Sequence, residues 1–62
     1  MNYEIKIYLQ DGTIFIKNVQ YEKVYDLRRD VTNIGVNGYL REISENKFEY
    51  FPQHKIDKIE VN

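Results

Sequence analysis

A chain of 62 residues has room for one domain, and such a domain buries only about 60% of the surface its unfolded form exposes. Nine basic and ten acidic residues, well mixed in order, give a formal charge of −1, which argues against a general nucleic-acid binder and against an acidic mimic of one. There is no cysteine, so disulfide staples and thiolate metal sites are excluded, while 42% hydrophobic and 15% aromatic content is too rich for a disordered chain.

The first residues, Met1-Asn2-Tyr3-Glu4, lead straight into a strand pattern, without a basic and then apolar leader. Tyr3, Ile5, Ile7 and Leu9 alternate with polar neighbours, the period of a half-buried strand. Asp11-Gly12 follows, a strong signal for a two-residue hairpin turn, and Thr13 to Val19 resumes the alternation. With Asp11 and Gly12 as the loop, Leu9 faces Ile14, Ile7 faces Ile16 and Tyr8 faces Phe15. That register predicts one apolar face of Ile5, Ile7, Leu9, Ile14 and Ile16, and an outer face carrying Lys6, Tyr8, Phe15 and Lys17.

From Tyr21 to Thr32 the period changes. Val24, Leu27, Val31 and then Ile34 recur at helical spacing, with Glu22, Lys23, Asp26, Arg29 and Asp30 on the other side. This predicts one short helix, or a structured crossover holding a single helical turn. Asn33-Ile34-Gly35-Val36-Asn37-Gly38 reads as a loop, because its glycines and asparagines tolerate positive φ. Tyr39 to Ile43 and Phe48 to Phe51 form a second hairpin around Ser44 to Lys47, with either two or four residues in the turn. Pro52 ends that strand or sits at its edge. Gln53-His54-Lys55 is a connection or a single 3₁₀ turn, and Ile59 and Val61 alternate through a last strand that Ile56 opens.

The order ββαβββ predicts an α+β fold forming a single β-rich domain over residues 1–62. Its five strands would form one small antiparallel sheet, or a half-barrel, with sequential strands as neighbours.

No catalytic residues, cofactor or metal ligands are expected. A cysteine nucleophile is impossible, and no local motif supports a serine–histidine pair. The single histidine, His54, lies in a polar turn and reads as a solvated residue. The acidic residues are scattered singly, whereas metal binding needs several convergent ligands. Gly35-Val36-Asn37-Gly38 matches no phosphate-binding loop and precedes a strand instead of opening a helix. No apolar run approaches the ~20 residues that span a bilayer, so no membrane contact and a cytoplasmic location are expected.

Binding is the remaining class. Lys6, Tyr8, Phe15 and Lys17 together would be a small version of the aromatic and basic surface that holds single-stranded nucleic acid. Glu4 on the same face and the balanced total charge weigh against it. A cross-strand Tyr8–Phe15 pair flanked by solubilising lysines is the plainer reading of the same residues. Six tyrosines exceed what so small a core can absorb, so several must reach the surface. Tyr21 and Tyr25, one helical turn apart with Arg28 and Arg29 a turn further on, are the residue types that dominate protein-binding hot spots. A noncatalytic protein-interaction domain that also self-associates is therefore expected, with Tyr8, Phe15, Tyr21, Tyr25 and Arg28 as contact residues.

Two segments carry a family resemblance. The Asp11-Gly12-Thr13 hairpin ending at Val19, together with the closing Phe51-Pro52-Gln53-His54-Lys55-Ile56-Asp57-Lys58-Ile59-Glu60-Val61, resembles small uncharacterised proteins of Gram-positive bacteria and their phages. The likeness covers the two ends of the chain and not the middle, Tyr21 to Asn37. It implies a little β-sheet or barrel domain serving as a phage or prophage accessory protein that binds and inhibits a host factor. It carries over no catalytic residues.

Overall fold

A computed structural model describes all residues from Met1 to Asn62. The elements run β1 (Asn2–Leu9), β2 (Ile14–Gln20), α1 (Val24–Asn37), β3 (Tyr39–Ser44), β4 (Lys47–Phe51), a 3₁₀ turn (Gln53–Lys55) and β5 (Ile56–Val61). The fold is α+β with the order ββαβββ. All its strand pairs are antiparallel, but they form two sheets where one was expected: a three-stranded β2-β1-β5 and the separate hairpin β3-β4. Sequential pairing also stops short, because β5 passes over its chain neighbour β4 and pairs with β1. The physical reason lies in β1, the most regularly apolar strand, which gains most from being flanked on both sides.

The first hairpin differs from its expected register by one residue. Ile7 lies opposite Phe15, Tyr8 opposite Ile14 and Lys6 opposite Ile16. The loop is Gln10-Asp11-Gly12, three residues: the Gly12 N–H donates to the Leu9 carbonyl at 3.1 Å, and the Leu9 N–H donates to Thr13 at 2.8 Å. Gly12 sits at φ 93°, as the last position of such a loop requires. The Asp11 carboxylate accepts the Thr13 N–H at 2.9 Å, which holds its pKa below the usual 3.8. One extra loop residue transfers every β2 side chain to the other face. Phe15 and Val19 turn inward beside Ile5 and Ile7, while Ile14 and Ile16 turn out.

The core is small. Five side chains are buried, Ile5, Ile7 and Leu9 of β1 with Leu27 and Ile34 of α1, and Ile7 has no exposed surface at all. Tyr3, Phe15, Val19, Tyr21, Val31, Tyr39, Phe51, Ile56 and Ile59 pack around them, half-buried. Burying one such aliphatic side chain fully stabilises by about 1.5–3 kcal/mol, so β1 carries much of the fold.

Helix α1 starts later and ends later than its pattern predicts. Tyr21 to Lys23 precede it, and it runs on through Asn33 to Asn37, the segment expected to be a loop. Ile34 explains the extension: its burial against β1 outweighs the weak helix propensity of Gly35 and two asparagines. Asn37 also bonds to Asn33 one turn back. Gly38 ends the helix at φ 95°, ψ 177°, a region essentially reserved for glycine, and its N–H donates to Ile34 at 2.9 Å. A Cβ there would stand 2.5 Å from the Phe51 carbonyl oxygen.

The second hairpin turns on two residues, Glu45 and Asn46, with Asn46 at φ 66°. Its inner face rests on β2 through rings. Phe15 lies 5.8 Å from Tyr39 and 5.1 Å from Phe51, centroid to centroid, and the Arg41 guanidinium sits 4.9 Å above Phe15.

Candidate functional site

The structure separates the residues that sequence spacing grouped together. Lys6 and Tyr8 lie on the outer face of the three-stranded sheet, whereas Phe15 and Lys17 share the inner side with Ile7 and Ile5. The four-residue aromatic and basic surface expected for single-stranded nucleic acid is thus divided between two faces. Lys6 is also occupied, 3.7 Å from Glu4. The Tyr8 hydroxyl donates to Glu60 at 3.2 Å, and Lys58 lies 4.7 Å above its ring. These contacts tile the outer face of β1 and β5 with satisfied charges.

Tyr21 likewise leaves its expected place on the helical stripe. It extends the β1–β2 ladder, bonding Met1 in both directions at 2.9 and 3.0 Å. Its ring leans on Tyr3 at 6.4 Å, and its hydroxyl donates to Asp30 at 2.7 Å. That bond, with burial second, pushes the Tyr21 pKa up to about 12. The same bond, helped by Arg29, holds the Asp30 carboxyl below its usual 3.8. Tyr21 therefore joins the middle of α1 to the sheet end, and Phe15 joins the second hairpin to the first.

Tyr25 and Arg28 remain as exposed candidates. Leu27, Val31 and Ile34 face the core, so Tyr25, Arg28, Thr32 and Val36 fall on the opposite side of α1 at helical spacing. Tyr25 is 71% exposed. Arg29 spends its charge on Asp26 at 3.4 Å and Asp30 at 3.5 Å. Arg28 makes no hydrogen bond or ion pair. Tyr25, Arg28, Thr32 and Val36 line one shallow depression on this side of the helix.

A second exposed surface escaped the sequence reading. On the outer side of the β3–β4 hairpin, Leu40, Phe48 and Tyr50 are 58%, 56% and 57% exposed, with Leu40 directly opposite Tyr50. The available signal was the alternation in both strands: Tyr39, Arg41, Glu49 and Phe51 form one face, and Leu40, Glu42, Phe48 and Tyr50 the other. Both faces carry two apolar side chains or more, so the pattern does not say which one covers the core.

His54 is an exposed residue of the 3₁₀ turn. No group of three or more histidine, aspartate or glutamate side chains converges to hold a metal ion. Glu42 and Glu49 lie on opposite faces of their hairpin, and Glu49 pairs with Arg41 at 3.4 Å. No helix is long and apolar enough to cross a membrane. Fold and surface define a small antiparallel α+β domain with a mixed exposed stripe on α1 and an apolar one on the β3–β4 hairpin. Comparisons with protein-family models, curated proteins and solved structures find no match.

Proposed function

We propose that the chain is a noncatalytic protein-interaction domain that docks on a larger protein through the outer stripe of α1. The observation that carries this is Tyr25, standing 71% exposed beside Arg28, whose guanidinium has no partner within the chain. Such pairs of an amphipathic ring and a planar cation concentrate binding energy when a partner's pocket desolvates them. A rigid domain of this size also loses little conformational entropy on docking.

The resemblance of the chain's two ends to small phage and Gram-positive proteins supports a phage-encoded inhibitor, acting in the cytoplasm on a host or defence protein. A core of only five buried side chains favours self-association as a further source of stability. The test is capture from host lysate with tagged protein, beside Tyr25→Ala and Arg28→Ala variants of unchanged thermal stability. Each variant is expected to lower partner affinity at least tenfold. A folded wild-type bait that captures nothing overturns the reading, and capture indifferent to both substitutions removes it from this stripe.

A further inference from the structure

Away from the helix stripe, β2 presents a second binding feature made by its main chain. β2 pairs only with β1, and its ladder bonds run through alternate residues. The Met1–Tyr21 and Leu9–Thr13 bonds set the phase, so Phe15, Lys17 and Val19 turn their main-chain groups toward β1. Those of Ile14, Ile16, Asn18 and Gln20 point away, and no group in the chain bonds them. The strand has no bulge and no proline, and the one device that blunts its edge is the inward-facing charge of Lys17.

This edge borders a groove whose other wall is β3. Ile16, Tyr39, Leu40 and Phe48 line it together with Lys17, Arg41 and Glu42. β3 pairs only with β4, so it too has a free edge. The groove therefore separates two sheets that stop short of joining.

We propose that this groove takes an extended peptide strand from a partner protein, hydrogen-bonded along β2, that alternates apolar and acidic residues. Strand addition of this kind draws affinity from main-chain bonds and specificity from alternate side chains. A strand lying there directs one set of side chains to the outer side, beside Ile16, Leu40 and Phe48, which calls for apolar residues. The other set points to the inner side, where Lys17 shares a face with Ile5, and where Arg41 lies over Phe15 with its charge already met by Glu49. Lys17 makes no ion pair, although its charge is felt at Asp30. The inner side thus calls for a carboxylate beside Lys17. The bound strand would join both sheets into one six-stranded sheet, the closure that the chain leaves open.

The probe is a capped nine-residue peptide of alternating valine and glutamate, followed by amide hydrogen exchange of the isotope-labelled protein. Slowed exchange at Ile14, Ile16, Asn18 and Gln20, at least tenfold at saturation, is expected. Methylating alternate peptide nitrogens should abolish it, and Lys17→Glu should weaken binding at least tenfold while favouring a valine–lysine peptide. Unchanged exchange at those four amides, or equal binding of the methylated peptide, overturns the proposal. So does concentration-dependent protection without any peptide, which would assign the edge to a second copy of the chain. The assay uses purified protein alone, so its failure is distinct from failure of the helix stripe to capture a partner.

Discussion

The two hairpins use the same strand chemistry to opposite ends. In the first, Ile5, Ile7 and Leu9 disappear beneath α1, and the reverse side of β1 is tiled by the Lys6–Glu4 pair and the Tyr8, Lys58 and Glu60 cluster. In the second, no residue falls among the buried ones, and the hairpin is tied to the first by the ring contacts of Phe15. One ribbon is the core and the other is mostly surface. The difference shows where a short chain with a marginal interior keeps apolar side chains that its own folding does not bury.

The contrast can be broken most severely at β1. Ile7→Ala should cost about 2–5 kcal/mol by emptying the centre of the core. Leu40→Ala, an equally apolar change on the second hairpin, should stay within about 0.5 kcal/mol. Paired urea titrations check this, and equal losses would mean that the outer face of the hairpin is covered in solution. Next comes Gly38→Ala, at the junction of helix and second hairpin. It meets both the glycine-only backbone and the Phe51 carbonyl, so a loss on the order of 3 kcal/mol is expected, read as a fall in melting temperature.

Tyr21→Phe tests the tie between helix and first hairpin. It should cost about 1 kcal/mol at neutral pH, the net worth of one hydrogen bond. The unfolded tyrosine ionises near 10.0, whereas the folded one keeps its proton until about 12. The bond's contribution is therefore whole below pH 10 and is lost as pH rises from 10 to about 12. Wild type should lose stability across that window more steeply than Tyr21→Phe, measured by urea midpoints at stepped pH. The Asp30 carboxyl works in the other direction. Its stabilisation is complete above 3.8 and falls away as acid protonates it.

The smallest expected effect is a gain. Gly35 is helical and nothing stands within 4 Å of its missing Cβ, so Gly35→Ala should stabilise by about 0.5–1 kcal/mol. No gain would mean that the last helical turn is not formed in solution.

By itself the sequence determined the order ββαβββ, the two hairpins, the inward row of β1 and the helical pair Leu27 and Val31, while Val24 of the same stripe is 45% exposed. Each of these rests on a local period of two or 3.6 residues, which a chain displays wherever it folds. It also marked Tyr25 and Arg28, on the excess of tyrosine over what the core can absorb and on residue types that suit a contact surface. Only the tertiary structure decided how the periods are phased against one another. One more loop residue at Gln10 moved Phe15 inward and Ile14 and Ile16 outward, and both registers offered an apolar face, so local pattern could not choose between them. The burial of Ile34 carried the helix through residues that favour a turn. The partnering of β5 with β1 left β2 and β3 facing each other unjoined, since long-range pairing follows the total apolar area buried and not the nearness of strands along the chain.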